Sequence, residues 1–159
     1  MKKNNNTLIG ITGSTGLIGK HLIKKYSNYK FVKFKDDILN KKKVDQWIKN
    51  SKFDKIIHLA AKVPTAYVNS NYLIAKKTNY VGTKNLINSI MKFKKNNFKW
   101  FFFASTSHVY KISKKKICEE DQLNPSSKYG YTKFLAEKFL KKKFPFKVCI
   151  ARIFSITHP

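Results

Sequence analysis

Arginine is almost absent from this sequence, and acidic residues are few. All but one of the 34 basic residues among 159 are lysine, Arg152 being the exception, and the formal net charge is +26. Such a charge would ordinarily indicate a nucleic acid or an anionic membrane as partner. The planar guanidinium group of arginine, however, is the best side chain for recognising bases and binding phosphates, and the chain has only one. Because Lys, Asn, Ile, Phe and Tyr all have A/T-rich codons, genome composition explains the charge, and we expect only weak, salt-sensitive polyanion binding.

Cysteine is scarce, and long apolar runs are missing. Cys118 and Cys149 stand apart, with no C-x-x-C and no nearby histidine cluster of metal spacing, so we expect reduced thiols and no metal site. No stretch reaches the roughly 18 apolar residues of a membrane span. The N-terminal segment contains four glycines and lacks an A-x-A-like cleavage site, which argues against a signal peptide. The sequence therefore predicts a cytoplasmic protein.

Short apolar runs alternate with longer helical patterns along the whole chain. With 42% apolar residues, the length suits one domain with a real core. Strands separated by helices imply right-handed crossovers and a parallel sheet covered on both faces, the doubly wound, Rossmann-type α/β class. We predict strands at 7–12, 30–34, 54–60, 99–105 and 146–154, helices at 17–27, 42–50, 72–95 and 129–143, and one long loop at 111–127.

The segment TGSTGLIG, residues 12–19, directly follows the first strand and opens the first helix. Gly13, Gly16 and Gly19 have the spacing G-x-x-G-x-x-G, which permits a tight turn and close packing of helix on strand. It also brings backbone N–H groups against a pyrophosphate. The segment therefore predicts a dinucleotide site, the alternative being a glycine-rich turn without a ligand.

This glycine spacing resembles the short-chain dehydrogenase/reductase superfamily, especially its extended branch of sugar-nucleotide epimerases, dehydratases and reductases. Further segments are similar to motifs of that branch and follow in its order: HLAA at 58–61, NYVGTKNLI at 79–87, FFFASTSHVY at 101–110, YGYTK at 129–133 and ARIFSITHP at 151–159. The resemblance covers nearly the whole chain and implies an NAD(P)-binding Rossmann domain over residues 1–159.

The resemblance also implies which residues form the site. Tyr129 and Lys133 correspond to the Y-x-x-x-K pair, and Thr106 to the Ser or Thr four residues before the tyrosine of the Val-Tyr motif. Residues four apart share a helix face, and we expect the ammonium of Lys133, with the positive nicotinamide ring, to lower the pKa of Tyr129. The implied cofactor-binding residues, besides this pair, are Gly13, Ser14, Thr15, Gly16, Leu17, Ile18, Gly19, Asp37, Ile38, Leu59, Ala60 and Ala61.

Two positions after Thr106 bear on the type of reaction. The 4,6-dehydratases of the branch carry Asp-Glu there, whereas this chain has Ser107 and His108. A dehydratase is therefore disfavoured, and an epimerase or 4-keto reductase fits best. His108 is a candidate acid/base group, since histidine titrates near neutrality; the alternative is a polar residue that lines the substrate cleft.

The form of the cofactor depends on the segment after the second strand. Asp36 and Asp37 stand at about the distance at which NAD binders hold the ribose 2′-hydroxyl, which favours NAD. Asp37 and Ile38 also resemble the family's adenine-contacting pair. In that alignment no acidic side chain binds the ribose 2′-hydroxyl, and Lys33 or Lys35 could accept the 2′-phosphate of NADP.

Extended members of the branch are much longer, and their C-terminal half builds most of the sugar-nucleotide site. We expect a chain without that half to bind cofactor but to be inactive alone. The predicted function is hydride transfer on a nucleotide-linked sugar by a Thr-Tyr-Lys set, in a homodimer formed through helices 72–95 and 129–143. The alternative is a noncatalytic dinucleotide-binding or basic polyanion-binding module.

Overall fold

The computed structural model describes residues 7–63 and 65–155, so residues 156–159 of the last motif lie outside it. Five parallel strands form one sheet in the order β2-β1-β3-β4-β5. They are β1 (Leu8–Thr12), β2 (Lys30–Lys33), β3 (Lys55–His58), β4 (Trp100–Thr106) and β5 (Lys147–Ile153). The helices are α1 (Leu17–Lys25), α2 (Lys41–Asn50), α3 (Thr65–Ser70), α4 (Tyr72–Lys76), α5 (Thr83–Phe93) and α6 (Lys128–Lys143). The predicted doubly wound α/β class is confirmed.

The strand order places a crevice above β1 and β3. The chain moves from β1 outward to β2, then returns past β1 to β3 and continues to β4 and β5. The connections that leave the carboxyl ends of β1 and β3 therefore diverge in opposite directions. Open α/β sheets bind their ligands at such a switch point.

The helices cover the two faces of the sheet unequally. The β1–β2 connection runs opposite to the other three, so right-handed crossovers place α1 on one face and the remaining helices on the other. The main core lies on the latter face, where α2, α5 and α6 pack on the strands; Phe101 and Phe103 are completely buried there. On the α1 face Trp100 and Phe102 are half-buried and Cys149 is exposed.

Local capping fixes the ends of two helices. The Asn40 side chain accepts a hydrogen bond from the Lys43 amide at 3.2 Å at the start of α2. This helix buries Val44 and Ile48, one turn apart, against the core. Ser127 caps α6 in the same way, accepting from the Gly130 amide at 3.0 Å.

The predicted single helix at 72–95 contains a π-helix, Lys77–Gly82, between α4 and α5. The wider turn buries Asn79 just before the buried Thr83. Gly82 meets Ile38 so closely that an added Cβ would clash with its side chain. Two short elements were not predicted, α3 and the 3₁₀ turn Ser107–Val109. The predicted helix 17–27 is two residues too long at its end, because α1 stops at Lys25.

No helix among residues 7–63 and 65–155 is long and apolar enough to cross a membrane.

Candidate active site

A cleft of about 1540 Å³ opens at the carboxyl ends of the strands. The glycine bend forms one end of it, and the end of β4 with the start of α6 forms the other. Residues 33–39, after β2, and 59–63, after β3, supply the remaining walls. Every catalytic and cofactor-binding residue that the sequence suggested lines this cleft.

The three glycines of the bend have different structural roles. Gly13 has φ +71°, and an added Cβ would lie 2.6 Å from the Ala60 nitrogen. A Cβ at Gly19 would clash with the Gly13 carbonyl oxygen. Gly16 instead has an extended backbone, and its nearest neighbour to an added Cβ is the same oxygen at 3.4 Å. The fold therefore requires Gly13 and Gly19, whereas Gly16 keeps the bend open toward the cleft.

The N-terminus of α1 fits an anionic group. Gly16 is the N-cap and supplies no side-chain hydrogen bond, and no acidic residue lies in the first turn. The first-turn N–H groups and the positive end of the helix dipole are consequently uncapped beside the cleft. These features match a pyrophosphate, which backbone N–H groups bind at helix N-termini.

Close backbone contact brings the opposite end of the cleft together. A Cβ on Gly130 would overlap the His108 carbonyl oxygen, so only glycine lets α6 start this close to the turn after β4. The Ser127 hydroxyl lies 3.3 Å from Nδ1 of His108. The rings of His108 and Tyr129 meet edge to face, with centroids 5.8 Å apart. Thr106, whose Oγ1 accepts from the His108 amide at 3.3 Å, completes the group.

Burial governs the ionisation of Tyr129 and Lys133. It raises the pKa of Tyr129, and a hydrogen bond with Thr106 opposes that rise. It lowers the pKa of Lys133 to about 7, against the opposing charge of Glu137. In the chain by itself burial outweighs any effect of Lys133 on the Tyr129 pKa, because it disfavours both charged forms and leaves Lys133 only partly protonated at neutral pH. The expectation for the site with a bound nicotinamide ring stays a prediction.

A chain of uncharged hydrogen bonds crosses the floor of the cleft. The Ala60 amide donates to Thr12 Oγ1 at 3.3 Å, and this oxygen lies 2.6 Å from Nδ1 of His58. The Thr83 hydroxyl donates to the Asn79 carbonyl at 2.7 Å and accepts from Nε2 of His58 at 2.9 Å. His58 is thus the neutral tautomer with hydrogen on Nε2, and burial lowers its pKa to about 3.

Asn79 extends this chain to the catalytic helix. Its side chain accepts from the Lys62 amide at 2.7 Å and donates to the Lys62 carbonyl at 3.2 Å. It also donates to Thr132 Oγ1 at 3.0 Å, and the Thr132 hydroxyl donates to the Tyr129 carbonyl at 2.8 Å. The side chains of Thr12, His58, Thr83, Asn79 and Thr132, which we call the neutral relay, thereby join the glycine bend to α6.

A second buried group, the ionic cluster, consists of Ser105, Glu137 and Arg152. Arg152 and Glu137 form an ion pair at 2.9 Å, with 11% and 1% of their side chains exposed. Neither this cluster nor the neutral relay was assigned a role from the sequence. Two signals pointed to the cluster: the single arginine in a lysine-rich chain, and an acid four residues after Lys133.

Comparison with known proteins places the chain in a family. The family model described as GDP-mannose 4,6 dehydratase matches residues 20–159. Over 62 residues, 37% of this chain and 20% of the relative, the chain is 40% identical to the uncharacterized UDP-glucose epimerase YtcB of Bacillus subtilis (strain 168).

Solved structures share the fold along nearly the whole chain. The dTDP-4-dehydrorhamnose reductase of Clostridium acetobutylicum ATCC 824 is 30% identical, with a TM-score of 0.81 over 92% of this chain and 52% of the other. The same-named enzyme of Bacillus anthracis str. Ames, in complex with NADP, is 24% identical, with a TM-score of 0.84 over 94% and 54%. The chain spans about half the length of these two proteins. It belongs to the extended short-chain dehydrogenase/reductase family, in the group of NAD(P)-dependent epimerases, dehydratases and reductases that the GDP-mannose 4,6 dehydratase model describes.

Proposed function

We propose that residues 1–159 are the dinucleotide-binding part of an NAD(P)-dependent enzyme that acts on a nucleotide-linked sugar. One observation carries the proposal: a single cleft joins the open glycine bend to Thr106, Tyr129 and Lys133. Relatives named as a UDP-glucose epimerase and as dTDP-4-dehydrorhamnose reductases support the substrate class.

The bound nicotinamide dinucleotide would supply the hydride acceptor or donor. The bend from Gly13 to Gly19 would hold its pyrophosphate, with the walls at Asp37–Ile38 and Leu59–Ala61 beside the adenosine half. Thr106 would hydrogen-bond the reacting oxygen of the substrate, and the Tyr129 hydroxyl would take or give the proton. Lys133 would orient the cofactor ribose and, in its protonated form, favour the Tyr129 phenolate.

The reaction we propose is epimerisation or reduction of a 4-keto sugar. Ser107 and His108 follow Thr106, where a carboxylate pair would be needed to work an elimination. His108 is exposed at the cleft and contacts the Tyr129 ring, which supports a role for its imidazole in exchanging a proton at a sugar carbon.

We propose NAD as the preferred cofactor. Asp36 and Asp37 are exposed at the cleft wall beyond β2, where a carboxylate can accept from a ribose hydroxyl. Lys33 and Lys35 line the same wall and would instead favour a 2′-phosphate. The ratio of the dissociation constants of NADH and NADPH tests the assignment, and a tighter NADPH complex would reverse it.

We also propose that the chain pairs with a second copy through α4, α5 and α6. Exposed apolar side chains on α4, on the π-helix and on α6 support this partner surface: Leu73 is 70% exposed, Val81 38% and Tyr131 42%. Sedimentation at increasing protein concentration tests it, and a monomer throughout would contradict it.

Gly16→Val provides a sharp test of cofactor binding. The extended backbone at Gly16 accepts a β-branched residue, and an added Cβ makes only an ordinary contact with the Gly13 carbonyl oxygen at 3.4 Å, so the variant should fold. Its side chain would occupy the position of the pyrophosphate, and we expect at least a tenfold loss of NADH affinity by calorimetric titration. Unchanged affinity in a folded variant would contradict the proposed site.

Gly10→Ala is the matched control for a general effect of glycine replacement. An added Cβ there would press on the Phe53 ring at 2.9 Å, below the bend, so stability should fall while NADH affinity per folded molecule is kept.

Titration with a DNA duplex at two salt concentrations distinguishes the dinucleotide-binding domain from the alternative, a polyanion-binding module. Steeply salt-dependent duplex binding without saturable NADH binding would indicate a polyanion-binding module.

Tyr129→Phe tests the chemistry in any form of the protein that turns over a nucleotide-linked sugar. It removes the hydroxyl that exchanges the proton and keeps the ring, so turnover should be lost while cofactor affinity is retained. Near-normal turnover would rule out the proposed role.

A further inference from the structure

The ionic cluster assembles at one level of the sheet, directly below the end of β4. Ser105 on β4 and Arg152 on β5 are register partners, so their side chains leave the same face of the sheet. Glu137 comes down onto them from α6 and is 1% exposed. Ser105 precedes the proposed catalytic Thr106 by one residue, which brings the cluster next to the site.

Both oxygens of the Glu137 carboxylate are occupied within this cluster. Oε1 accepts from the Ser105 hydroxyl at 2.5 Å and from Arg152 Nε at 3.3 Å. Oε2 accepts from Nη2 of Arg152 at 2.9 Å and from Nε at 3.3 Å. The guanidinium thus approaches the carboxylate in a forked arrangement that a lysine ammonium cannot reproduce.

Lys133 lies one helical turn before Glu137, at a spacing where opposite charges ordinarily pair. In the part of the chain that the structure describes, no ion pair within 4.0 Å joins the two. The Lys133 ammonium instead lies 4.2 Å from the centroid of the Phe103 ring and lines the cleft. Its natural partner on α6 is therefore engaged elsewhere.

Arg152 also fastens the loop that leads from β4 to α6. Its Nη1 donates to the Tyr110 hydroxyl at 2.8 Å and to the Glu119 carbonyl at 3.0 Å. The guanidinium carbon stands 4.8 Å from the centroid of the Tyr110 ring. These contacts use the planar, many-donor geometry of arginine, at the one position where this lysine-rich chain has it.

We propose that Arg152 is a positioning residue: by occupying both oxygens of Glu137 it keeps that carboxylate turned toward β5 and leaves the Lys133 ammonium directed into the cleft. The proposal rests on the proposed function for the use of Lys133, but its geometry can be tested without turnover or cofactor. Without Arg152, Glu137 becomes a buried partner for Lys133, and the lysine is drawn from the cleft.

Nuclear magnetic resonance of protein labelled with 13C at the lysine Cε can follow this change. A lysine that titrates near neutrality is distinguishable from ordinary surface lysines, and loss of its signal in Lys133→Met assigns it. The groups that face this ammonium are Glu137 and Tyr129 on its own helix, His58 on β3 and, through Glu137, Arg152 on β5. In Arg152→Met we expect the midpoint of the Lys133 titration to rise by about one pH unit or more, because the Glu137 carboxylate is then no longer neutralised by the guanidinium and favours the ammonium more strongly.

Two further variants keep the proposal falsifiable if Arg152→Met does not fold. Arg152→Lys keeps the charge but can engage only one oxygen, so it should raise the midpoint by a smaller amount. Glu137→Gln removes the anion and should lower it. An unchanged or lower midpoint in Arg152→Lys, or in a folded Arg152→Met, would overturn the proposal.

Asp54→Asn is the matched control, because it breaks the ion pairs with Lys55 and Lys99 where β3 begins, at the opposite end of the sheet from the cleft. It should leave the Lys133 midpoint unchanged. An equal shift in this control would show that any lost ion pair disturbs Lys133 and would also overturn the proposal.

NADH affinity of the Arg152 variants separates this proposal from the proposed function. If the Lys133 midpoint shifts and NADH binding is lost, Lys133 takes part in the cofactor site. If the midpoint shifts and NADH affinity stays at the wild-type value, Arg152 still positions Lys133, but the proposed use of Lys133 in cofactor binding is contradicted.

Discussion

Two buried polar groups flank Lys133, and they solve the same structural problem with opposite chemistry. The neutral relay contains no charge: each of its hydroxyl and imidazole hydrogens has an acceptor, and His58 stays neutral because burial lowers its pKa to about 3. The ionic cluster holds a full carboxylate and a full guanidinium, each largely removed from water. Both tie α6 to the sheet, one through Thr132 and the other through Glu137.

The difference decides how each group responds to damage. Loss of one member of a neutral chain leaves a polar atom unsatisfied, at a cost of about 1–3 kcal/mol. Loss of one member of a buried ion pair leaves an uncompensated charge, which costs about 3–5 kcal/mol. A single substitution in the neutral relay should therefore lower the free energy of unfolding by less than a single substitution in the ionic cluster.

Glu137→Ala is the largest perturbation of the ionic cluster. It leaves the Arg152 guanidinium buried without its counter-ion, and we expect the free energy of unfolding to fall by about 3–5 kcal/mol. Urea unfolding at pH 7, followed by circular dichroism, measures the loss. Asp54→Ala, which breaks two ion pairs with lysines that are 33% and 70% exposed, should cost no more than about 1 kcal/mol.

A double variant checks that the loss of stability in Glu137→Ala comes from the unpaired charge of Arg152. Arg152→Met combined with Glu137→Leu replaces the pair by apolar side chains, a change that is often neutral for stability. It should recover most of the loss. A double variant as unstable as Glu137→Ala would mean that packing, and not charge, sets the cost.

The His58 part of the pH dependence of stability tests the neutral relay. His58 has a folded pKa of about 3 and an ordinary value of 6.5, so between these values the unfolded chain binds the extra proton. Stability that is full above pH 6.5 is therefore lost as the pH falls toward 3, by about 2 kcal/mol between pH 8 and pH 5. His58→Gln should remove this part of the slope in urea unfolding at a series of pH values.

His21→Gln serves as the control for that experiment. His21 is exposed on α1 and takes no part in the relay, so the acid-side slope should be the same as in the unchanged chain. If His58→Gln also kept the full slope, the buried neutral tautomer would be wrong.

The sequence predicted the cleft well because its motifs are local. Gly13, Gly16 and Gly19 lie within one turn and one helix start, and Tyr129 and Lys133 are one helical turn apart, so short-range geometry determines their arrangement. The strand and helix order then fixes which loops meet at the carboxyl edge of the sheet. The fold class and the residues of the cleft therefore followed from the sequence and the family resemblance.

The support beneath the cleft depends on contacts that no local pattern encodes. Ser105 and Arg152 meet because β4 and β5 pair in a particular register, and Asn79 reaches Thr132 because a π-helix turns it inward. The ionisation of Lys133 depends in turn on burial by the whole domain. Burial likewise raises the pKa of Tyr129 in the chain by itself, which the helical spacing of Tyr129 and Lys133 does not indicate.

Ser105→Ala compares the two groups at the level of a single hydroxyl. It removes one donor from the Glu137 carboxylate and leaves Arg152 in place. The ion pair therefore persists, but Oε1 of Glu137 loses its hydrogen bond from Ser105. Hydrogen bonds to charged groups contribute about 1.5–3 kcal/mol, and we expect a loss in that range by urea unfolding. A cost below that of a neutral hydrogen bond would mean that Arg152 alone satisfies the carboxylate.

Thr132→Val makes the corresponding change in the neutral relay and should have the smallest effect. The replacement keeps the branched shape of the side chain and removes the hydroxyl that accepts from Asn79 and donates to the Tyr129 carbonyl. Asn79 keeps both of its hydrogen bonds to the Lys62 backbone, so only the link to α6 is cut. We expect a loss of about 1–1.5 kcal/mol, at the low end of the cost of an unsatisfied buried polar atom. A loss as large as that of Ser105→Ala would show that the uncharged relay is as sensitive to a missing hydroxyl as the ionic cluster, because its members polarise one another, and the distinction between the two groups would then disappear.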